Sequence, residues 1–270
     1  DRLTLDSVEI SGNVAGPLTT GQGGGLWASN GAMGLTIVDS VISGNAAKQG
    51  GGIFVALEGT LDIQTSQISS NDAQHGAGMW IDGAAKSVTI EQSTLSANHA
   101  MENGGAIRVR KTGAEGTFVI RASTLSDNAA SHGGALALGE PAAPTIVENS
   151  TISGNQAAEG AAIYCYACAA LAVRHSTIAG NTATSDGAIV VSDGLGTLSH
   201  TIIADNTAPN DPLLGMFVAD HSLIESPGTS TITDGGGNVL SQDPQLGPLQ
   251  ANGGPTFTQL PAATSPAIDA

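Results

Sequence analysis

The feature that most constrains this chain is one short phrase restated along most of its length. "STISGNQAAEGAAIY" at 150–164 has near copies in "SVISGNAAKQGGGIF" at 40–54 and "SQISSNDAQHGAGMW" at 66–80. One asparagine marks each copy: Asn13, Asn45, Asn71, Asn98, Asn128, Asn155, Asn181 and Asn206, at spacings of 32, 26, 27, 30, 27, 26 and 25 residues. An Ile or Leu stands three residues before each of them. In most copies a small-small-aliphatic step follows, as in Gly51-Gly52-Ile53 and Ala161-Ala162-Ile163. Between these landmarks the pattern alternates with period two, as in "TLDIQTSQIS" at 60–69, and Gly or Asn closes each run. Such runs are short strands joined by tight turns. Helical spacing is sustained nowhere.

Three short strands fit into each 25–27 residues, the size of one coil of a parallel β-helix. A single coil cannot bury its apolar side, so coils must stack, pairing their backbones in parallel at about 4.8 Å per rung. The expected fold is therefore an all-β, single-stranded parallel β-helix of about eight to nine coils. It spans residues 1–220, and 221–270 form an irregular C-terminal cap that covers the open last rung. Five prolines, at 244, 248, 255, 261 and 266, fit such an ending because proline interrupts strand pairing. In this geometry the aliphatics stack as the interior, and the asparagines form a ladder of amide bonds.

Composition narrows the partners. The 37 glycines and 3% aromatic residues suit a turn-rich repeat. With 24 acidic and 8 basic residues the formal charge is −16, which argues against nucleic acid, whose phosphates must be met by Lys and Arg. No run of about 20 apolar residues is present to span a bilayer as a helix. The first repeat opens at once ("LTLDSVEISGN", 3–13), so the chain is expected to be a mature or trimmed piece of a longer, exported protein.

The "GGAI" at 104–107, the "ISGN" at 42–45 and 152–155 and the "LSDN" at 125–128 resemble the repeats of polymorphic outer-membrane proteins, with Ile or Leu where those carry Phe. The tail "DPQLGPLQANGGPTFT" at 243–258 is similar to the ending of such repeats in choice-of-anchor surface proteins. The resemblance covers essentially the whole chain. It implies a right-handed β-helix, export or display on a bacterial surface, and adhesion, and it implies no particular enzyme.

Four candidate sites follow from register. Trp27, Phe54, Trp80, Arg108, Ala137, Tyr164 and Val190 share one repeat position and are expected to point outward, making an apolar platform for a sugar chain or a protein. Arg108, Arg110, Lys111 and Arg121 are half of the basic residues and could hold carboxylates of an acidic polysaccharide, the plainer reading being surface pairs with Glu91, Glu102 and Glu115. A polar column runs through Gln49, His75, Asn103, His132, Glu159 and Ser185, with Glu102 as eligible as Asn103 because that copy carries an extra residue; its two histidines are too far apart to share a metal, and a solvated edge is the favoured reading. Cys165 and Cys168 form a Cys-x-x-Cys pair without a second such pair, which favours a local disulfide over structural zinc. No metal or cofactor is expected, and "TDGGGN" at 233–238 reads as a turn.

The function expected from these features is a non-catalytic extracellular or cell-surface rod, acting in adhesion, surface binding or as a fibre element able to self-associate. The alternative is a polysaccharide lyase or glycoside hydrolase acting on an acidic polysaccharide. It is disfavoured because the acids (Asp62, Asp82, Glu91, Glu115) are scattered, whereas a lyase metal or a hydrolase needs clustered or paired carboxylates.

Overall fold

The computed structural model describes residues 2–16, 20–29, 34–83, 85–111, 116–139, 144–167 and 170–268. Among them the regular elements are strands alone, and successive turns of the chain pair in parallel. One turn shows how the repeated phrase folds. Gly34–Val38 joins a long sheet, A; Val41–Ser43 joins a second, B; Ala46–Gln49 forms a short edge, C; and Ile53–Ala56 joins a side wall, D. The next copy lies on it in register, pairing Leu35 with Leu61, Ile42 with Ile68, Ala47 with Ala73 and Ile53 with Met79.

The coil therefore has four short sides where the alternation suggested three. Edge C was hidden because its inward residues are small: Ala47, Ala73, Ala100, Ala157 and Ala183 are buried there, where the other walls carry Ile, Leu and Val. Sheets A and B hold ten strands each and wall D holds eight, bracketing the expected coil number. Stacking runs on through Leu223–Ile224, Thr231–Asp234 and Val239–Leu240. Beyond it the tail makes antiparallel bridges of its own, Leu246 with Pro261 and Gln250 with Thr258. The tail also meets the flank of sheet B: the Thr124 hydroxyl donates to the Phe257 carbonyl at 2.7 Å, and that of Thr256 to Ala122 O at 3.2 Å.

Inside, identical aliphatics sit above one another. Ile42, Ile68, Leu95, Leu125, Ile152, Ile178 and Ile203 are buried, each worth roughly 1.5–3 kcal/mol of transfer energy. At the turn after sheet B the asparagines form an unbroken ladder. Seven side-chain amide bonds of 2.9–3.1 Å run from Asn13 to Asn206, each Oδ1 accepting from the Nδ2 of the rung before. The same Oδ1 atoms also accept the backbone N–H of that preceding Asn, so one side chain satisfies two buried donors.

A second ladder fills the turn between A and B. Ser40, Ser66, Ser93, Ser123, Ser150, Ser176, Thr201 and Ser222 are buried. Where the bonds are resolved, each Oγ accepts the N–H of the rung before, at 3.1–3.2 Å, and donates to the carbonyl two residues back. Its sequence signal was in view, since Ser stands five residues before the Asn in copy after copy. The paired small residues before wall D answer to backbone crowding. A Cβ on Gly105 would lie 2.2 Å from Gly134 O on the next rung.

Candidate binding site

The outer side of wall D carries the expected row. Trp27, Phe54, Trp80, Arg108, Ala137, Tyr164 and Val190 are successive partners in register. It is not an open platform along its length. Trp27 is 54% exposed, but Phe54 and Trp80 are each only 4% exposed. Phe54 lies in register between Trp27 and Trp80, and the His75 ring stands edge-on to Trp80 at 5.3 Å. The buried Trp80 Nε1 has no hydrogen-bond partner.

The polar column lies beside this row on edge C. Gln22, Gln49, His75, Asn103, His132, Glu159 and Asp186 pair in register, so Asp186 rather than Ser185 completes it. The register slips by one residue between Ala73 and His75 as the strand meets His99–Asn103, which puts Asn103 rather than Glu102 level with His75. Asn103 Nδ2 lies 3.2 Å from His75 Nδ1, and Glu102 reaches His75 Nε2 at 3.6 Å. Burial holds the His75 pKa below its ordinary 6.5; Glu102 opposes that shift, and Arg108 and Lys48 add to it.

Row and column meet in a recess of about 240 Å³ lined by Asn103, Arg108, His132, Tyr164 and Tyr166. Small residues create it. Ala137 separates Arg108 from Tyr164 in the row. Arg108 lies across that rung with its guanidinium against Gly139, where a Cβ would come within 2.6 Å of Nη2. On the other side the His132 and Tyr164 rings are 5.1 Å apart, and Glu159 is 4.0 Å from His132 Nε2. The Tyr164 pKa is raised, first by burial and then by the charge of Glu159, so its phenol stays protonated and able to donate. Tyr166, 58% exposed, forms the rim. The recess thus combines a guanidinium, an amide, an imidazole and two aromatic faces.

Arg121 lies on a different wall from Arg108 and Arg110: it lies on sheet A, and they lie on wall D. Arg110 pairs with Asp82 and Arg121 with Glu91, both at 3.0 Å and exposed, and such pairs contribute little. The Lys111 side chain and Glu115 lie outside the described residues. Cys165 is buried in wall D and disulfide-bonded, and Cys168 lies outside the described residues. Among the described residues no group of three His, Cys, Asp or Glu is placed to hold a metal ion. Asp234 accepts from Gly236 N at 2.9 Å, the bond that most lowers its pKa, and closes the 233–238 turn.

One feature escaped the sequence reading. His175, His200 and His221 stack on three consecutive rungs, with ring centroids 4.9 and 5.2 Å apart. Each opens its copy of the phrase, in "HST", "HTI" and "HSL", so the repeat position carried the signal.

Parallel rungs and two internal polar ladders define a right-handed parallel β-solenoid. A family model, "Right handed beta helix region", matches residues 1–140 and, overlapping, 51–225. The chain belongs to this family. Comparisons with curated proteins and with solved structures found no match.

Proposed function

We propose that this is an exported, non-catalytic surface protein that binds a sugar chain or a glycosylated partner along wall D. The observation that carries this reading is the recess between Arg108 and Tyr164. Aromatic faces suit the apolar side of a sugar ring, while Arg108 and Asn103 supply donors for hydroxyls or a carboxylate. Trp27, open at the start of the same row, extends the surface toward the N-terminal rungs, and the buried Phe54 and Trp80 stiffen it. The disulfide at Cys165 supports export, because such bonds persist in oxidising compartments; Cys168 is its partner in this reading. Residues 1–220 and the further rungs that end at Leu240 act as the rod, and the rest of the 221–270 segment shields strand edges from pairing with other chains.

A glycan array comparing the parent chain with Tyr164→Ala and Tyr166→Ala tests this. Binding by the parent and its loss in both variants is expected; parent-level binding in both would overturn it. The second reading, cleavage of an acidic polysaccharide, is favoured by one observation. His132 and Tyr164 are adjacent titratable groups beside a guanidinium able to neutralise a carboxylate. Depolymerisation assays on polyuronates, with and without calcium, separate the two, since only the enzyme reading expects product.

A further inference from the structure

A second concave surface lies on a different wall. The outer side of sheet B carries rows of short hydroxyl and amide side chains, among them Gln67-Thr94-Thr124 and Ser69-Ser96-Ser126, in register across consecutive rungs; Gln67, Thr94 and Ser96 are the accessible members, and Ser69, Thr124 and Ser126 are buried. Rungs about 4.8 Å apart make each row a regular line of donors and acceptors. The tail runs beside it. Leu249, Pro255 and Phe257 face the rows across a groove of about 950 Å³, near the upper end of the range for ligand sites.

Phe257 is the informative residue. The residue is 53% exposed, yet its carbonyl is held by the Thr124 hydroxyl at 2.7 Å, and its neighbour Thr256 bonds to Ala122. An exposed aromatic residue on a fixed backbone is preorganised to stack, which lowers the entropic cost of binding. The charge of the groove is equally informative. Asp39 and Asp127 line it, and among the described residues no Lys, Arg or His does. An anionic chain would meet only like charge there.

We propose that this groove binds an uncharged glycan, its sugar ring stacked on Phe257 and its hydroxyls bonded to the rows of sheet B. A polypeptide suits the groove less well. The floor is the face of a sheet whose backbone bonds run to adjacent rungs, so it offers no strand edge to extend. Side chains that both donate and accept, such as Gln67 and Thr94, match hydroxyls that do the same. This site is independent of the recess on wall D.

The test uses the whole chain, titrated with soluble uncharged oligosaccharides of glucose, mannose and xylose, with polyuronate oligomers, and with a pool of extended peptides. Binding is read by calorimetry and by amide chemical shifts. The expected result is that a neutral oligosaccharide shifts the amides around Gln67, Thr94 and Ser96. Phe257→Ala and Gln67→Ala should each weaken it at least about tenfold at unchanged melting temperature, and Tyr164→Ala should leave it unaltered. Gln67→Ala keeps the proposal testable if Phe257→Ala loosens the tail. The proposal is overturned if no neutral oligosaccharide binds at millimolar concentration, if Gln67→Ala binds as tightly as the parent, or if polyuronates or peptides shift the same amides as strongly.

Discussion

Asn71 and Asn98, 27 residues apart in the chain, are joined by two hydrogen bonds to one atom: Asn98 Oδ1 accepts Asn71 Nδ2 at 2.9 Å and Asn71 N at 3.1 Å. Both side chains are fully buried. Replacing Asn98 with Ala leaves two buried donors on Asn71 without their acceptor and removes the Asn98 donor from Ile68 O. Each unsatisfied buried group costs about 1–3 kcal/mol, so Asn98→Ala should destabilise the chain by about 3 kcal/mol or more. Asn13→Ala, at the exposed end of the same ladder, should cost about 1 kcal/mol or less. Urea unfolding of the two variants gives the comparison.

The glycines divide into two kinds, and substitution should tell them apart. Gly105 has no room, because a Cβ there would meet the backbone of Gly134 and Ala129 on the next rung. Gly12 has open space and needs only its left-handed conformation, at φ +67°, which Ala97 and Asp127 adopt at the same turn position in later copies. Gly105→Ala is expected to cost about 1–3 kcal/mol, because the facing backbone must shift to admit the methyl, as it does where Ala77 and Ala161 hold the same repeat position. Gly12→Asp should cost about 1 kcal/mol. The same denaturation series measures both.

The recess depends on the lie of Arg108. The atoms nearest to an added methyl at Gly139 all belong to the flexible end of that side chain, so Gly139→Ala should move the guanidinium at a smaller cost in stability than a backbone clash would bring. A ligand held there should bind at least about tenfold more weakly, the loss of roughly one charge-assisted bond. Glycan titration together with a melting curve would read the two changes separately.

His75 should make stability pH-dependent. Its folded pKa lies below the unfolded value, because burial outweighs the attraction of Glu102. The unfolded chain therefore binds more protons in that window, and stability must fall as pH drops from above 6.5 through the folded value, then level off. His75→Gln should remove that part of the slope. Urea midpoints at about pH 8 and about pH 5 give the difference.

What was legible in the sequence follows from what a rung spacing repeats. Identical residues at one position of each copy must stack, so the asparagine ladder and the row from Trp27 to Val190 were both readable before any coordinates. Exposure was not, because it depends on neighbours from other positions of the copy; Phe54 and Trp80 face outward yet are covered. The Arg108 recess was half visible. Arg108 and Tyr164 were singled out, but the opening comes from Ala137 and Gly139, small residues with no chemistry to draw attention. The sheet B groove was out of reach, since Thr124 and Phe257 meet across 133 residues that belong to no shared period.

The most direct test of vertical stacking is a nitrogen-edited nuclear Overhauser experiment on the asparagine amides in solution. Contacts should link Asn45 to Asn71, Asn71 to Asn98, and Asn98 to Asn128, in that order and with no skipped neighbour. Side-chain amides that show no mutual contacts, or that pair out of chain order, would contradict it.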